Sequence, residues 1–354
     1  MRILDRYLAG AVISGTLLAL AVLLPLLGFF LLADEMDHVG VASYRFTDAL
    51  IVMGLSLPRY AYQLFPIATL VGSLVGLGAL ASRSELVAMR AAGVSVARIV
   101  GSGLIGGLLL AALAAVIGEL VAPVAEQRGM ELRRAALSGD AAQQTAYGFW
   151  AVDEGSYVNI REIASGTSLR DIYIYDVDSA AGILVATHAE WARYVNGQWL
   201  LEGISRSRVG AEGVEVERIP SSGWSSMLDP GLLKLVVVDP QMLPAWGLWK
   251  YIRFMTLNEQ DATAYEVVFW GKVVQPLLTL SMVFVAVPIL LVSARSRGIG
   301  SRIFAGVLVG IVYYLVSRTF TYLALIFDLS PVAAALAPPL LFIAGATALL
   351  RRVG

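Results

Sequence analysis

The sequence predicts a polytopic α-helical membrane protein with six transmembrane helices and an antiparallel β-jellyroll-like domain between helices 3 and 4. Three observations predict it. Of 354 residues, 58% are hydrophobic and only 15% charged, with a mean hydropathy of +0.73, whereas soluble domains carry about 25% charged residues. Six apolar runs are each long enough, at about 1.5 Å per residue, to cross a hydrocarbon core of about 30 Å. A single long internal stretch, Val124 to Ala264, is polar and breaks into short β-like runs. The net charge of −1 provides no bulk field for nucleic acid. The absence of cysteine excludes disulfides, thiolate metal sites and cysteine nucleophiles. His38 and His188, the two histidines, have no metal-ligand spacing.

The first span is the uncharged run Leu8 to Ala33, preceded by Arg2 and Arg6. A signal peptide has an apolar core of about 7 to 15 residues, so this longer run reads as an uncleaved span, kinked at Pro25. A net acidic segment, Asp34 to Asp48, leads to the second span, which runs from Leu50 or Pro58 to Ala81. Its Gly72, Gly76 and Gly78 permit close helix packing. Next comes a short charged interruption, Ala81 to Arg98. Ser82 or Ser84 can cap a helix over about 83–93, with Glu85 in its first turn, Leu86, Met89 and Ala92 on one face, and Gly93 as its stop. A helix of this kind at a membrane surface suits contact with a motor; the alternative is an ordinary polar turn between spans.

The third span, Ile99 to Val121, closes on Gly118, Glu119 and Pro123. It is expected to continue into the charged stretch Glu126, Arg128, Glu131, Arg133 and Arg134 as one long helix. Strand candidates follow at Gly148 to Val152, Tyr157 to Ile163, Asp171 to Val177, Ile183 to Tyr194, Gln198 to Arg208 and Val214 to Ile219. Asn196-Gly197 is the clearest hairpin signal, since both residues tolerate positive φ. Regular strand spacing without intervening helices argues for an antiparallel sandwich or jelly-roll. The last spans are Tyr265 to Ala294, Arg302 to Phe327 and Ser330 to Leu350, so the chain divides at 1–123, 124–264 and 265–354.

Basic residues near span ends are retained in the cytoplasm. One side collects Arg2, Arg6, Arg83, Arg90, Arg98, Arg295, Arg297, Arg302, Arg351 and Arg352, while the opposite short loops hold mainly Asp34, Glu35, Asp37, Asp48 and Asp328. Both termini and the short charged helix are therefore expected in the cytoplasm, and the β domain outside.

The run Pro58 to Arg98, with Phe65-Pro66, Leu77-Gly78 and Arg83-Ser84-Glu85-Leu86, resembles the second span and coupling helix of the LptF/LptG (YjgP/YjgQ) family of lipopolysaccharide export permeases. Ile117-Gly118-Glu119-Leu120-Val121-Ala122-Pro123, followed by Glu126-Gln127, resembles the family's end of span three. Gly148-Phe149-Trp150-Ala151 resembles the start of its periplasmic β-jellyroll. The likeness covers nearly the whole chain, and its Ser-Glu-Leu and Gly-Glu-x-x-Ala-Pro motifs favour the LptG branch.

The resemblance implies one half of a transmembrane pair in the bacterial inner membrane, with an LptF paralogue as the other half and a dimer of the ATPase LptB beneath. LptC and LptA would be periplasmic partners of the β domain, and lipopolysaccharide would be extracted and passed to a bridge toward the outer membrane. ATP and Mg would be used by the ATPase, with no cofactor bound by this chain. The sequence agrees, for it has no phosphate-binding loop: its sole Gly-Lys pair, Gly271-Lys272, is followed by valine. Glu85 matches the family's coupling glutamate, and Arg83, Leu86, Met89 and Arg90 complete the expected ATPase contact.

Arg59 and Arg318 are the candidates for binding an anionic lipid. A guanidinium in hydrocarbon must pair, snorkel or face a wet cavity, and its planar fork suits phosphate. Arg59 could instead snorkel, and Arg318 could pair with Glu119 or Asp328. Related permeases carry lysines near the outer end of span one, where this chain has Asp34, Glu35, Asp37 and His38. Trp150, Tyr157, Tyr173, Tyr175, Trp191 and Trp199 could line an acyl-chain groove or form β-domain core. A permease for another lipid or a lipoprotein, or a membrane receptor with a β sensor domain, are the competing readings.

Overall fold

A computed structural model describes residues 3–138, 143–153, 155–165, 167–178, 182–210, 213–226, 230, 240–293 and 299–353. It forms two compact units, one of Met1–Leu137 with Glu266–Gly354 and one of Ser138–Tyr265.

In the helical unit, α1 (Ile3–Met36) and α2 (Phe46–Ser82) are continuous through Pro25, Pro58 and Pro66. α2 starts at Phe46, ahead of both expected starts. The Asp48 carboxylate in its first turn accepts the Arg45 amide at 2.8 Å, placing a negative charge at the positive helix end. α1 and α2 cross with their backbones touching: a Cβ on Gly15 would lie 2.1 Å from the Gly72 carbonyl oxygen, and one on Gly76 2.0 Å from that of Ala11. α3 (Glu85–Ala91) is the short charged helix. α4 (Val96–Val116) runs through a π-helical turn, Ile117–Val121, into α5 (Ala122–Ser138), so the third span and the charged stretch are one helix.

Among the described residues, six helices are long and apolar enough to cross a membrane. The later three are α7 (Thr263–Ser293), α8 (Ile299–Phe327) and α9 (Pro331–Val353). Leu8 and Val12 of α1, Phe65, Leu70, Leu74 and Leu77 of α2, Leu110 of α4, and Met282 and Val283 of α7 form their common core.

The second unit holds β1 (Gln143–Asp153), β2 (Ser156–Ser165), β3 (Ser168–Asp178), β4 (Gly182–Val195), β5 (Gln198–Gly210) and β6 (Gly213–Trp224). They make one antiparallel sheet in sequential order, and each contains the run from which it was expected. Asn196 and Gly197 turn the β4–β5 hairpin at φ 52° and 87°, with Val195 opposite Gln198. One face buries Val158, Ile160, Leu169, Ile172, Ile174, Trp199 and Leu201.

The aromatic residues divide between the faces. Trp199 is core, 1% exposed, whereas Trp150, Tyr157 and Trp191 are exposed. Tyr173 and Tyr175 alternate with Ile172 and Ile174 and so point the other way, where Trp150, Tyr175, Tyr173 and His188 make successive ring contacts at 5.9, 6.4 and 4.5 Å. One element was not anticipated. The polar stretch also contains α6 (Ala245–Leu257), whose Gly247, Leu248, Tyr251 and Phe254 are buried at helical spacing.

Candidate functional site: the α3 helix and the charged groups of the helical unit

α3 exists because two residues adopt left-handed backbone angles, Ser84 at φ 60° and Gly93 at φ 87°, bounding a helix too short to persist without tertiary contacts. The expected serine cap is absent. Ser84 makes no side-chain cap bond, and Ser82 Oγ donates back to the carbonyls of Gly78 (2.9 Å) and Ala79 (3.0 Å), closing α2 instead. Ser95 does cap α4, accepting the Arg98 amide at 3.2 Å.

The faces of α3 also differ from expectation. Leu86 is buried and Met89 packs on the same core, so the i, i+3 apolar pair anchors α3 to the spans. The outward apolar residue is Val87, 63% exposed, flanked by exposed Arg83 and Arg90. Glu85 lies between these faces and accepts a hydrogen bond from the Tyr7 hydroxyl of α1 at 2.6 Å. The five residues expected at an ATPase contact thus divide into two anchors, two exposed cations and one carboxylate tethered to α1.

The two candidate substrate arginines have different surroundings. Arg59 does not snorkel free: its Nε lies 3.2 Å from Glu126 Oε2 of α5, and its guanidinium stacks 4.2 Å over Tyr60. Arg318 is exposed on α8, its Nε donating to Tyr314 Oη at 3.3 Å. Neither Glu119 nor Asp328 forms an ion pair with it among the described residues. Glu119 lies 3.5 Å from Lys272 Nζ of α7. The structure does not bring Arg59, Arg318 and α3 together as one cluster.

Three charged groupings went unread in sequence. Lys272 is mostly buried beside Glu119, with Nζ 5.6 Å from the Tyr62 ring centre; its signal was a lone cation opening an apolar run. Asp5 of α1 accepts Arg98 Nη2 on both oxygens at 2.9 Å and Ser102 Oγ at 2.7 Å, tying α1 to α4. Glu35, in the acidic segment after the first span, accepts the Tyr44 hydroxyl at 2.7 Å and pairs with Arg133 at 3.2 Å. Burial and this carboxylate push the Tyr44 hydroxyl well above the ordinary tyrosine range. Arg133 Nη2 lies 2.7 Å from His38 Nε2. Since arginine only donates, that nitrogen accepts, which assigns the imidazole proton to Nδ1.

The Lys272–Glu119 pair permits a direct test. Lys272→Met leaves a partly buried carboxylate without this cation and is expected to lower the melting temperature more than Lys272→Met combined with Glu119→Gln, because removing one member of a buried pair costs about 3–5 kcal/mol whereas replacing both is often neutral. Thermal unfolding in detergent of the wild type, both single variants and the double variant measures the difference; a double-variant loss equal to the sum of the two single losses would deny the pair any coupling.

In the β unit, a cavity of about 420 Å³ opens against Ile174, Val185, Leu201 and Trp224, with Arg206 and Asp176 at its polar side. None of the six aromatic residues considered for a lipid groove lines it. Among the described residues no group of three or more His, Asp or Glu side chains is placed to hold a metal.

Comparison with known proteins gives this geometry its context. The family model for the lipopolysaccharide export system permease LptF/LptG matches residues 6–352. The chain is 32% identical over 342 residues to the lipopolysaccharide export system permease protein LptG of Haemophilus influenzae, covering 96% of each. It is 30% identical over 339 residues to the protein of the same name from Escherichia coli K12, covering 95% of this chain and 94% of the relative. A match over nearly the whole length, on six spans with an inserted antiparallel sheet, places this chain in the LptF/LptG family of lipopolysaccharide export system permeases.

Proposed function

We propose that this chain is the LptG-type half of an LptF–LptG pair that extracts lipopolysaccharide from the inner membrane, driven by an LptB dimer docked on α3. The observation that carries this reading is α3 itself: a short helix pinned between two spans by Leu86 and Met89, offering Val87, Arg83 and Arg90 outward. Apolar anchors inside and mixed charge outside suit a contact that must move with the spans. The termini and α3 would face the cytoplasm and the sheet the periplasm, following the basic residues. LptC and LptA would receive lipid at the β unit. Hydrolysis of ATP with Mg belongs to the partner; this chain is a transport subunit, not an enzyme.

The experiment is reconstitution of the chain with its paralogue and ATPase in lipopolysaccharide-containing vesicles. ATP-dependent release of lipopolysaccharide to a soluble acceptor is expected, and export of a different lipid, or no release on hydrolysis, overturns the reading. Arg318 supplies a finer test. An exposed guanidinium on a membrane helix, with a tyrosine hydroxyl as its near partner, is available to a phosphate. Arg318→Ala is expected to lower lipid occupancy and transport about tenfold, the loss of one charged hydrogen-bond partner, while assembly survives. Arg59→Ala is expected to impair transport less directly, because it also strips Glu126 of its cation. Normal occupancy in Arg318→Ala, measured by mass spectrometry of copurified lipid, would remove Arg318 from the path.

A further inference from the structure

Arg302 occupies a position that local physics opposes. It lies in the first turn of α8, where the helix dipole disfavours a cation. It is only 6% exposed, no carboxylate pairs with it among the described residues, and its Nε is buried without a hydrogen-bond partner. A residue held against its own helix end in this way marks a site that something other than folding propensity maintains.

Among the described residues, its one hydrogen bond shows what it reaches. Nη1 donates to the Gly78 carbonyl of α2 at 2.9 Å, in the last turns of that helix, where the dipole is negative and a cation is welcome. The same oxygen accepts Ser82 Oγ at 2.9 Å. Ser82 is the last residue of α2 and α3 begins at Glu85, so the Arg302 contact stands about one helical turn from the end of α2, which leads directly into α3. The guanidinium packs along this turn of α2: a Cβ on Gly78 would lie 3.4 Å from Arg302 Nη1 and 3.6 Å from Cδ, ordinary van der Waals contact.

Beyond Arg302, the α2–α8 seam is apolar and close. Gly306 and Gly310, each four residues further along one face of α8, approach α2 so nearly that added Cβ atoms would lie 2.5 Å from Leu74 Cδ1 and 3.1 Å from Ile67 Cγ2. Such a seam holds the two helices by van der Waals packing of Leu74 and Ile67 against the two glycines. Arg302 is its polar pin, at the end nearest α3. The same helix carries the exposed Arg318.

We propose that Arg302, through its bond to the Gly78 carbonyl, is the positioning residue that makes α8 follow displacements of α3 and the end of α2, coupling the motor contact to the membrane path. This rests on the transport reading above. The balance of forces supports it: the bond is charge-assisted and lies in a dry seam, so it is stronger than a neutral one, and it is the contact here that slippage would break.

The test compares lipid released per ATP hydrolysed in reconstituted complexes of the wild type, Arg302→Met, Arg302→Lys and Arg302→Gln. Arg302→Met keeps bulk and loses the donor; it is expected to retain the ATPase and its hydrolysis while the ratio falls about tenfold, within the range for coupling mutations. Arg302→Lys keeps charge and a donor but not the planar fork, and is expected to recover to within about threefold of the wild type. An unchanged ratio in Arg302→Met overturns the proposal, as does a parallel loss of hydrolysis and release that leaves the ratio intact, the behaviour of a purely structural residue. Should Arg302→Met fail to assemble, Arg302→Gln, which keeps amide donors but neither the charge nor the reach, decides: a ratio reduced more than about threefold supports the pin, and a smaller reduction or none overturns it. Absence of ATP-driven release in the wild type would instead sink the transport reading itself.

Discussion

Glu85→Lys is expected to reduce ATP-driven lipid release more than about thirtyfold, since breaking one partner of a desolvated charged contact costs about 2–5 kcal/mol. The structure gives Glu85 one role, and the proposed docking would give it a second. Within the chain it accepts the Tyr7 hydroxyl at 2.6 Å, linking α3 to α1; toward an ATPase it would offer its charge to a basic groove. Charge reversal removes both. Tyr7→Phe removes only the first and Glu85→Gln only the charge, since an amide oxygen still accepts from a hydroxyl. If docking dominates, Glu85→Gln resembles Glu85→Lys and Tyr7→Phe remains near wild type. If the tether to α1 dominates, the order inverts. Full ATPase retention and normal lipid release in Glu85→Lys would remove α3 as the motor contact, whereas restoration by an acidic substitution in the ATPase would fix its partner.

Gly72→Leu is expected to leave little folded protein. A Cβ at position 72 would stand 2.3 Å from Thr16 Cα and 2.4 Å from its amide nitrogen. Overpacking against side chains costs about 1–3 kcal/mol because they can turn aside; backbone cannot, so the α1–α2 crossing itself would have to open. Gly101→Leu is the matched control, since nothing lies within 4 Å of its added Cβ and leucine is the better helix former. Fluorescence size-exclusion chromatography of detergent extracts distinguishes them. A monodisperse Gly72→Leu peak of wild-type height would show that the crossing is not needed for folding.

The spans and strands were legible because their signals are local: apolar length for the helices, alternation and an Asn-Gly turn for the sheet. The charged site was less so. That Leu86 and Met89 pack against the spans could not be read, because a short amphipathic helix has the same pattern whichever neighbour covers it. Arg59 and Arg318 looked alike as intramembrane cations; the difference lies in Glu126, 67 residues from Arg59 in sequence, which no local spacing reveals. Lys272, Glu119 and Tyr62 converge from three helices and share no period. α6 was overlooked although its buried residues are helically spaced, because the composition around it is that of the β domain.

The π-helical turn at Ile117–Val121 acts as a length buffer. A turn closed by i→i+5 bonds holds one residue more than an α-turn, so it takes up an extra residue while the helix beyond keeps its facing. Glu126 meets Arg59 and Arg133 meets Glu35 beyond it. Removing one residue from this turn would let the helix return to ordinary winding with both pairs still facing their partners, whereas removing one between Glu126 and Arg133 would turn Arg133 by about 100° away from Glu35. A single-codon deletion should therefore be better tolerated within these five positions than further along α5.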